Sequence, residues 1–173
     1  MSLRQTTLLS LSVFLFTLTT GIVEAKTSAK AEKLPTKKWA VVDGFRSAKF
    51  GMDKKKVMRA ISRDFKISRS KIKTNFHPTE KTTSLEILVP ELMEAGGTAR
   101  IAYILGQKSK KLMQVNVVWG YGVTKNVNNN EVIAAANLLR GHFIKKRYQE
   151  DMLAANAKIS DNLMIVFRGK DKK

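Results

Sequence analysis

The sequence contains no cysteine, only three prolines and only two histidines among its 173 residues. The lack of cysteine excludes a disulfide framework, a thiol nucleophile and a cysteine-ligated zinc site. The scarcity of proline, with 43% hydrophobic residues, is atypical of a disordered or collagen-like chain. We therefore expect one globular domain, which at this length buries about two-thirds of the surface that its unfolded chain exposes.

Recognisable catalytic motifs are also lacking. The sequence has no H-E-x-x-H, G-x-S-x-G, P-loop or G-x-G-x-x-G pattern. An imidazole-based site would have to use His77 or His142. The carboxylates of Glu86, Glu91 and Glu94 are better explained as solvated charges than as a catalytic pair. We expect no catalytic residue, no cofactor and no metal ligand.

An uncharged apolar run, Leu8–Val23, follows a short segment that carries Arg4. This order is typical of a secretory signal peptide, and Val23-Glu24-Ala25 supplies the small residues required at the −3 and −1 positions. The run has 16 residues, fewer than the about 20 of a membrane helix. We expect cleavage after Ala25, with Ala29 as a second choice, and no transmembrane span afterwards.

The expected organisation is a signal peptide at residues 1–25, a disordered basic tether at 26–38 and a single α+β domain at 39–173. The tether contains five lysines, one glutamate and almost nothing to bury. No cysteine follows the apolar run, so no lipid-attachment site is present. An exported chain without cysteine favours a bacterial periplasmic or secreted protein.

The first predicted helix begins at Asp53, whose side chain suits the N-cap position. Its apolar residues, Val57, Ile61 and Phe65, recur every fourth residue and predict one narrow buried stripe. The opposite face is basic and carries Lys54, Lys55, Arg59 and Arg63.

Three segments with alternating apolar residues follow, and their alternation predicts strands. In each segment the alternate apolar residues are predicted to share one face: Leu85, Ile87 and Val89; Ala99, Ile101, Tyr103 and Leu105; and Met113, Val115, Val117 and Trp119. Turn-forming residues separate the segments, which predicts an antiparallel meander, and residues 71–76 are expected to add an edge strand.

A second helix is predicted after Asn128, and residues 162–168 are predicted to form the last strand. The helix should bury Val132, Ala135, Ala136, Leu139 and Phe143. This order of elements predicts an α+β fold, with an antiparallel sheet of four to five strands and helices packed on one face. Both helices should cover the sheet face that carries Val115, Val117 and Trp119.

The helix entrance Phe50-Gly51-Met52-Asp53, with Val57 four residues beyond the cap, resembles that of small bacterial envelope proteins. These are the outer-membrane-assembly small lipoproteins and the β-lactamase-inhibitor-like modules. Residues 39–52 also resemble uncharacterised exported alphaproteobacterial proteins. The resemblance implies an exported domain that works by protein contact rather than by chemistry. The chain differs from the lipoproteins in lacking their lipidated cysteine and in having Asp53 where threonine is usual.

The excess of positive charge is the feature of this sequence that most clearly points to a function. The formal net charge is +18, and residues 45–81 hold 12 Lys and Arg against three acids. Such a surface attracts polyanions. The residues expected to bind an anionic partner are Lys54, Lys55, Arg59, Arg63, Arg69 and Lys71.

The expected function is therefore an exported, non-enzymatic binding module for an acidic protein, lipid or glycan of the cell envelope. One alternative is an envelope hydrolase that uses His77 or Glu91 in a cleft. A secreted basic effector or nucleic-acid binder is a further alternative, although export separates the chain from cytosolic nucleic acid, so nucleic acid is an unfavoured partner. The oligomeric state stays open.

We predict that the exported protein begins at Lys26, because the small residues that signal peptidase requires end at Ala25. The measurement is intact-mass analysis or N-terminal sequencing of the exported protein. An intact Met1 in the membrane fraction would contradict both the cleavage and the localisation.

Overall fold

The computed structural model describes residues 37–94, 96–125 and 127–173. The predicted signal peptide and residues 26–36 of the predicted tether lie outside this part. Two helices occur in the described residues, α1 (Lys54–Phe65) and α2 (Asn129–Phe143). The strands are β1 (Gly44–Phe45), β2 (Ala48–Lys49), β3 (Lys73–Phe76), β4 (Thr83–Val89), β5 (Ala99–Leu105), β6 (Leu112–Trp119), β7 (Ala154–Ser160) and β8 (Leu163–Arg168).

The central element is a four-stranded antiparallel sheet in the order β3-β4-β5-β6. It is the predicted meander, and β3 is the predicted edge strand. The cross-strand pair Leu85 and Tyr103 fixes the register between β4 and β5. The fold is α+β, as the sequence predicts.

One face of this sheet and α1 form the main hydrophobic core. The apolar residues of β4 and β5 point to α1 because alternate side chains of a strand lie on the same face. The fully buried residues include Val57 and Ile61 of α1, Leu85 of β4, and Ile101 and Tyr103 of β5, each with no exposed surface. The predicted stripe of α1 is thus buried where the sequence places it, with Phe65 half-buried at its end.

The entrance of α1 is hydrogen-bonded to the start of β6. The Gly51 amide donates to the Leu112 carbonyl at 2.8 Å, and the Leu112 amide donates to the Met52 carbonyl at 2.8 Å. Gly51 has a φ of 84°, a conformation that favours glycine. Asp53 then caps the helix, because its Oδ1 accepts a hydrogen bond from the Lys56 amide at 2.9 Å.

The prediction that Met113 shares a face with Val115, Val117 and Trp119 is wrong. The pairing between β5 and β6 shifts at this point, so that Ile104 pairs with Gln114 and Leu105 pairs with Leu112. Met113 is the extra residue of this irregularity and is 56% exposed. Leu112 is buried instead, whereas Val115, Val117 and Trp119 are half-buried as members of the inner face.

The predicted burial of α2 is also wrong in part. Ala135 is its one buried residue, and Phe143 is 39% exposed. The middle of α2 approaches the end of β6, since a Cβ added to Gly96 would lie 3.0 Å from both Ala135 Cβ and Trp119 Nε1. Farther along, however, α2 packs against β8, where the Phe143 and Phe167 rings stack with centroids 5.6 Å apart.

The last strand pairs with β7 in a separate antiparallel hairpin rather than with the central sheet. Buried Tyr148 contacts Phe167 edge-on at 5.1 Å between ring centroids. The segment before β1 joins this part of the fold, because the Ala40 amide donates to the Arg147 carbonyl at 2.9 Å. The Arg147 guanidinium lies 4.5 Å from the Trp39 ring centroid.

Two isoleucine truncations test the core. We predict that Ile61→Ala lowers the free energy of unfolding by about 2 to 5 kcal/mol, because it leaves a cavity in a fully buried site. Ile133→Ala, at a position 59% exposed on α2, should change it by no more than about 0.5 kcal/mol. Urea denaturation measures both values. Equal effects of the two substitutions would contradict the assignment of α1 to the core.

Candidate functional site

The six basic residues predicted to bind an anionic partner are all exposed. Four lie on α1 and two lie on the 3-10 turn Arg69–Lys71, which leads from α1 to β3. We call this set the basic surface: Lys54, Lys55, Arg59, Arg63, Arg69 and Lys71. On α1 the exposure follows from helical periodicity, because the stripe that contains Val57 and Ile61 faces the sheet and turns the opposite side to solvent.

Few carboxylates neutralise the basic surface. In the part of the chain that the structure describes, Arg63 is its one member within 4.0 Å of a carboxylate, with Nε 3.9 Å from Asp64 Oδ1. The Arg63 side chain is nevertheless 72% exposed. All six positive charges therefore face solvent, five of them without a described carboxylate within 4.0 Å, and they can attract an anion.

Lys56 also lies on the exposed side of α1, although it is not among the six predicted residues. Lys56 is exposed and lies three residues before Arg59, which places the two side chains on neighbouring positions of the helix surface. Its Nζ lies 4.0 Å from Asp53 Oδ2, an exposed pair of little energetic weight. The three-residue spacing between Lys56 and Arg59 is the feature of the sequence that indicates this position.

The end of α1 is held by a network around Asp64, whose side chain is only 9% exposed. Asp64 accepts hydrogen bonds from the Ser47 hydroxyl and from the Ser47 amide, the latter at 2.9 Å. The Arg46 guanidinium lies 4.6 Å from the Phe65 ring centroid and donates to the Asp64 carbonyl at 3.3 Å. These contacts fix the orientation of α1, and hence of its basic side, relative to β1 and β2.

The residues named for a hydrolase lie in different depressions. His77 follows β3 and borders the open face of the sheet, where its Nδ1 accepts a hydrogen bond from the Glu80 amide at 3.1 Å. Glu91 lines a separate depression with Glu94 and Glu131. The structure thus does not bring His77 and Glu91 into one site.

The described residues were compared with the requirements of a metal site and of a membrane-spanning helix. No group of three or more histidine, cysteine, aspartate or glutamate side chains within them is placed to hold a metal ion. None of the helices among them combines the length and apolarity that crossing a membrane would require. Ala95 and Asn126, which the sequence places in connecting loops, lie outside this part.

The electrostatics of the α1 entrance act on the Asp53 carboxyl. Its pKa is lowered below 3.8, first because the carboxylate accepts the hydrogen bond of the Lys56 amide and then because Lys56, Lys111 and Arg59 are positively charged. The opposite shift occurs in the core, where burial raises the pKa of the Tyr103 hydroxyl. Tyr103 therefore stays neutral, and its hydroxyl hydrogen-bonds to none of the described residues.

A scan against models of protein families finds no match to this chain, and searches of curated proteins and of solved structures find no significant match. The resemblance of the helix entrance to small envelope proteins therefore stays a prediction.

We predict that Asp53→Asn preserves the cap near neutral pH, because asparagine and aspartate are comparable N-cap residues, but removes a part of the acid sensitivity. A carboxyl whose pKa is lowered on folding stabilises the fold above its unfolded pKa of about 3.9 and loses that effect as the pH falls through the folded value. Urea midpoints measured from pH 6 to pH 2 should decline less in the variant. An identical decline would contradict the assigned role of the carboxylate.

Proposed function

We propose that this protein is an exported, non-enzymatic binding module of the bacterial cell envelope, periplasmic or secreted, and that its basic surface binds an anionic partner. The exposure of all six basic residues, with one carboxylate within 4.0 Å of any of them among the described residues, is the observation that carries this proposal. The partner class is an acidic protein, lipid or glycan.

The physical basis is long-range attraction followed by contact. Unneutralised charges of one sign produce a potential that steers an oppositely charged partner and raises its rate of encounter. Ions screen this potential over about 8 Å at physiological ionic strength. Binding through the basic surface should therefore depend strongly on salt concentration.

The rigidity of α1 favours a binding role over a purely solubilising one. The capped entrance at Asp53 and the network at Asp64 hold both ends of the helix. Lys55, Arg59 and Arg63 lie at spacings of four residues, so successive charges follow one side of the helix. Because their backbone is fixed, less conformational entropy is lost when a partner binds than would be lost on a mobile segment.

The test is charge reversal on α1. We predict that Lys55→Glu combined with Arg59→Glu weakens binding to heparin, used as a polyanion probe, by about tenfold or more at low salt, because four units of charge change at one place. Thermal stability should be nearly unchanged, since both side chains are exposed. Fluorescence anisotropy at several salt concentrations measures the affinity.

The matched control is Lys145→Glu combined with Lys146→Glu, which makes the same change in net charge at two exposed residues beyond α2. This control should weaken heparin binding much less. Equal weakening by both double variants would show that net charge alone governs binding and would overturn the assignment to α1. Unchanged binding by the α1 variant would likewise remove the basic surface as the site.

A further inference from the structure

The second face of the central sheet is open in the described structure, and a groove crosses it. Alternation places Glu86 and Leu88 of β4 and Arg100 of β5 on this side, opposite the core. One part of the groove measures about 360 Å³ and is lined by Lys71, Lys73, Arg100, Glu86, Leu88 and Val123. A second part, about 330 Å³, adjoins the first at Glu86 and Arg100, which border both.

The first part of the groove is positively charged. Three cations, Lys71, Lys73 and Arg100, line it against the single carboxylate of Glu86. Arg100 is half-buried, and no described carboxylate lies within 4.0 Å of its guanidinium. Glu86 Oε1 instead accepts a hydrogen bond from the Ser84 hydroxyl at 2.7 Å. A partly desolvated guanidinium of this kind is suited to a paired hydrogen bond with an incoming carboxylate.

Apolar side chains lie beside these charges. Leu88 is 57% exposed and Val118 is 37% exposed, and the two flank Arg100 as its direct cross-strand neighbours on β4 and β6. Leu88 and Val123, the latter from the loop after β6, border the first part of the groove, and Val118 borders the second. An apolar patch around a central arginine is typical of a protein-binding surface rather than of a site for a uniformly charged polymer.

The acids in the groove also select among anions. Glu86 lies at its centre, and Glu80 borders its second part. A polymer with charge at every repeat, such as a sulfated glycan, would place negative charge next to both carboxylates at an energetic cost. A peptide with separated carboxylates meets the three cations and avoids this repulsion.

We propose that this groove binds an acidic peptide segment of a partner protein, with a carboxylate at Arg100, Lys71 and Lys73 and a neighbouring apolar side chain on Leu88 and Val118. The inference rests on the proposed function, since it names the partner class as protein. Lys71 belongs to both the basic surface and the groove. The basic surface would then attract the partner and the groove would hold it.

The test is a titration of the ¹⁵N-labelled exported protein with the peptide acetyl-(Glu-Leu)₄-amide, followed by NMR. We expect amide shifts at Arg100, Val118 and Val123. Arg100→Gln should raise the Kd by about tenfold, the size expected when a hydrogen bond to a charged group is lost. The matched variant Arg59→Gln removes one positive charge from α1. It should raise the Kd for the peptide less than half as much as Arg100→Gln does.

Two comparison peptides separate charge from apolar contact. Replacing glutamate by lysine should abolish binding, and replacing leucine by serine should weaken it. A Kd unchanged in Arg100→Gln, or equal for the leucine and serine peptides, would overturn the proposal. If Arg100→Gln changes the fold, as its NMR spectrum would show, Lys73→Gln at an exposed position takes its place.

Heparin binding distinguishes failure of this inference from failure of the proposed function. Heparin that binds α1 while the peptide leaves the groove unperturbed would refute the groove and keep the proposed function. If neither heparin nor the peptide binds, both the proposed function and the peptide groove are refuted. Heparin shifts centred on Arg100 would assign the groove to a glycan and overturn the peptide proposal.

Discussion

The pairing of the α1 entrance with the start of β6 is the constraint on which the rest of the structure depends. Two backbone hydrogen bonds join Gly51 and Met52 to Leu112, and Asp53 caps the helix immediately afterwards. With the helix axis fixed in this way, Val57 and Ile61 reach Leu85, Ile101 and Tyr103. The apolar stripe and the basic residues lie on opposite sides of α1. The orientation of the helix that buries the stripe therefore also exposes the lysines and arginines to solvent.

The excess of positive charge lowers the stability of the folded state to some extent. Unneutralised positive charges repel one another, although exposure to water and salt weakens that repulsion. Asp64 shows how the chain uses one of its few carboxylates internally, since Ser47 and the end of α1 enclose it. A carboxylate engaged in this way reaches one member of the basic surface, Arg63, whose Nε lies 3.9 Å from Asp64 Oδ1. The other five members of the basic surface have no carboxylate within 4.0 Å among the described residues.

The two surfaces of interest meet at the turn between α1 and β3. Residues 69–71 follow α1 and add two exposed cations, of which Lys71 also borders the groove on the open face of the sheet. The character of the two surfaces differs, because the helix presents nearly uniform charge whereas the groove mixes cations, acids and exposed apolar side chains. This difference is the physical basis for assigning attraction to the former and selectivity to the latter.

Local patterns in the sequence determined the meander, α1 and the exposure of the basic residues, because strand alternation and helical spacing decide which side of an element is apolar. They did not determine the irregularity at Met113, since bulges arise from pairing with a neighbouring strand. The alanine-rich β7 gave no strand signal, and pairing with β8 overrides its weak propensity. Only the tertiary structure brings Lys71, Arg100 and Val123 together, because they come from separate segments whose proximity no local pattern encodes.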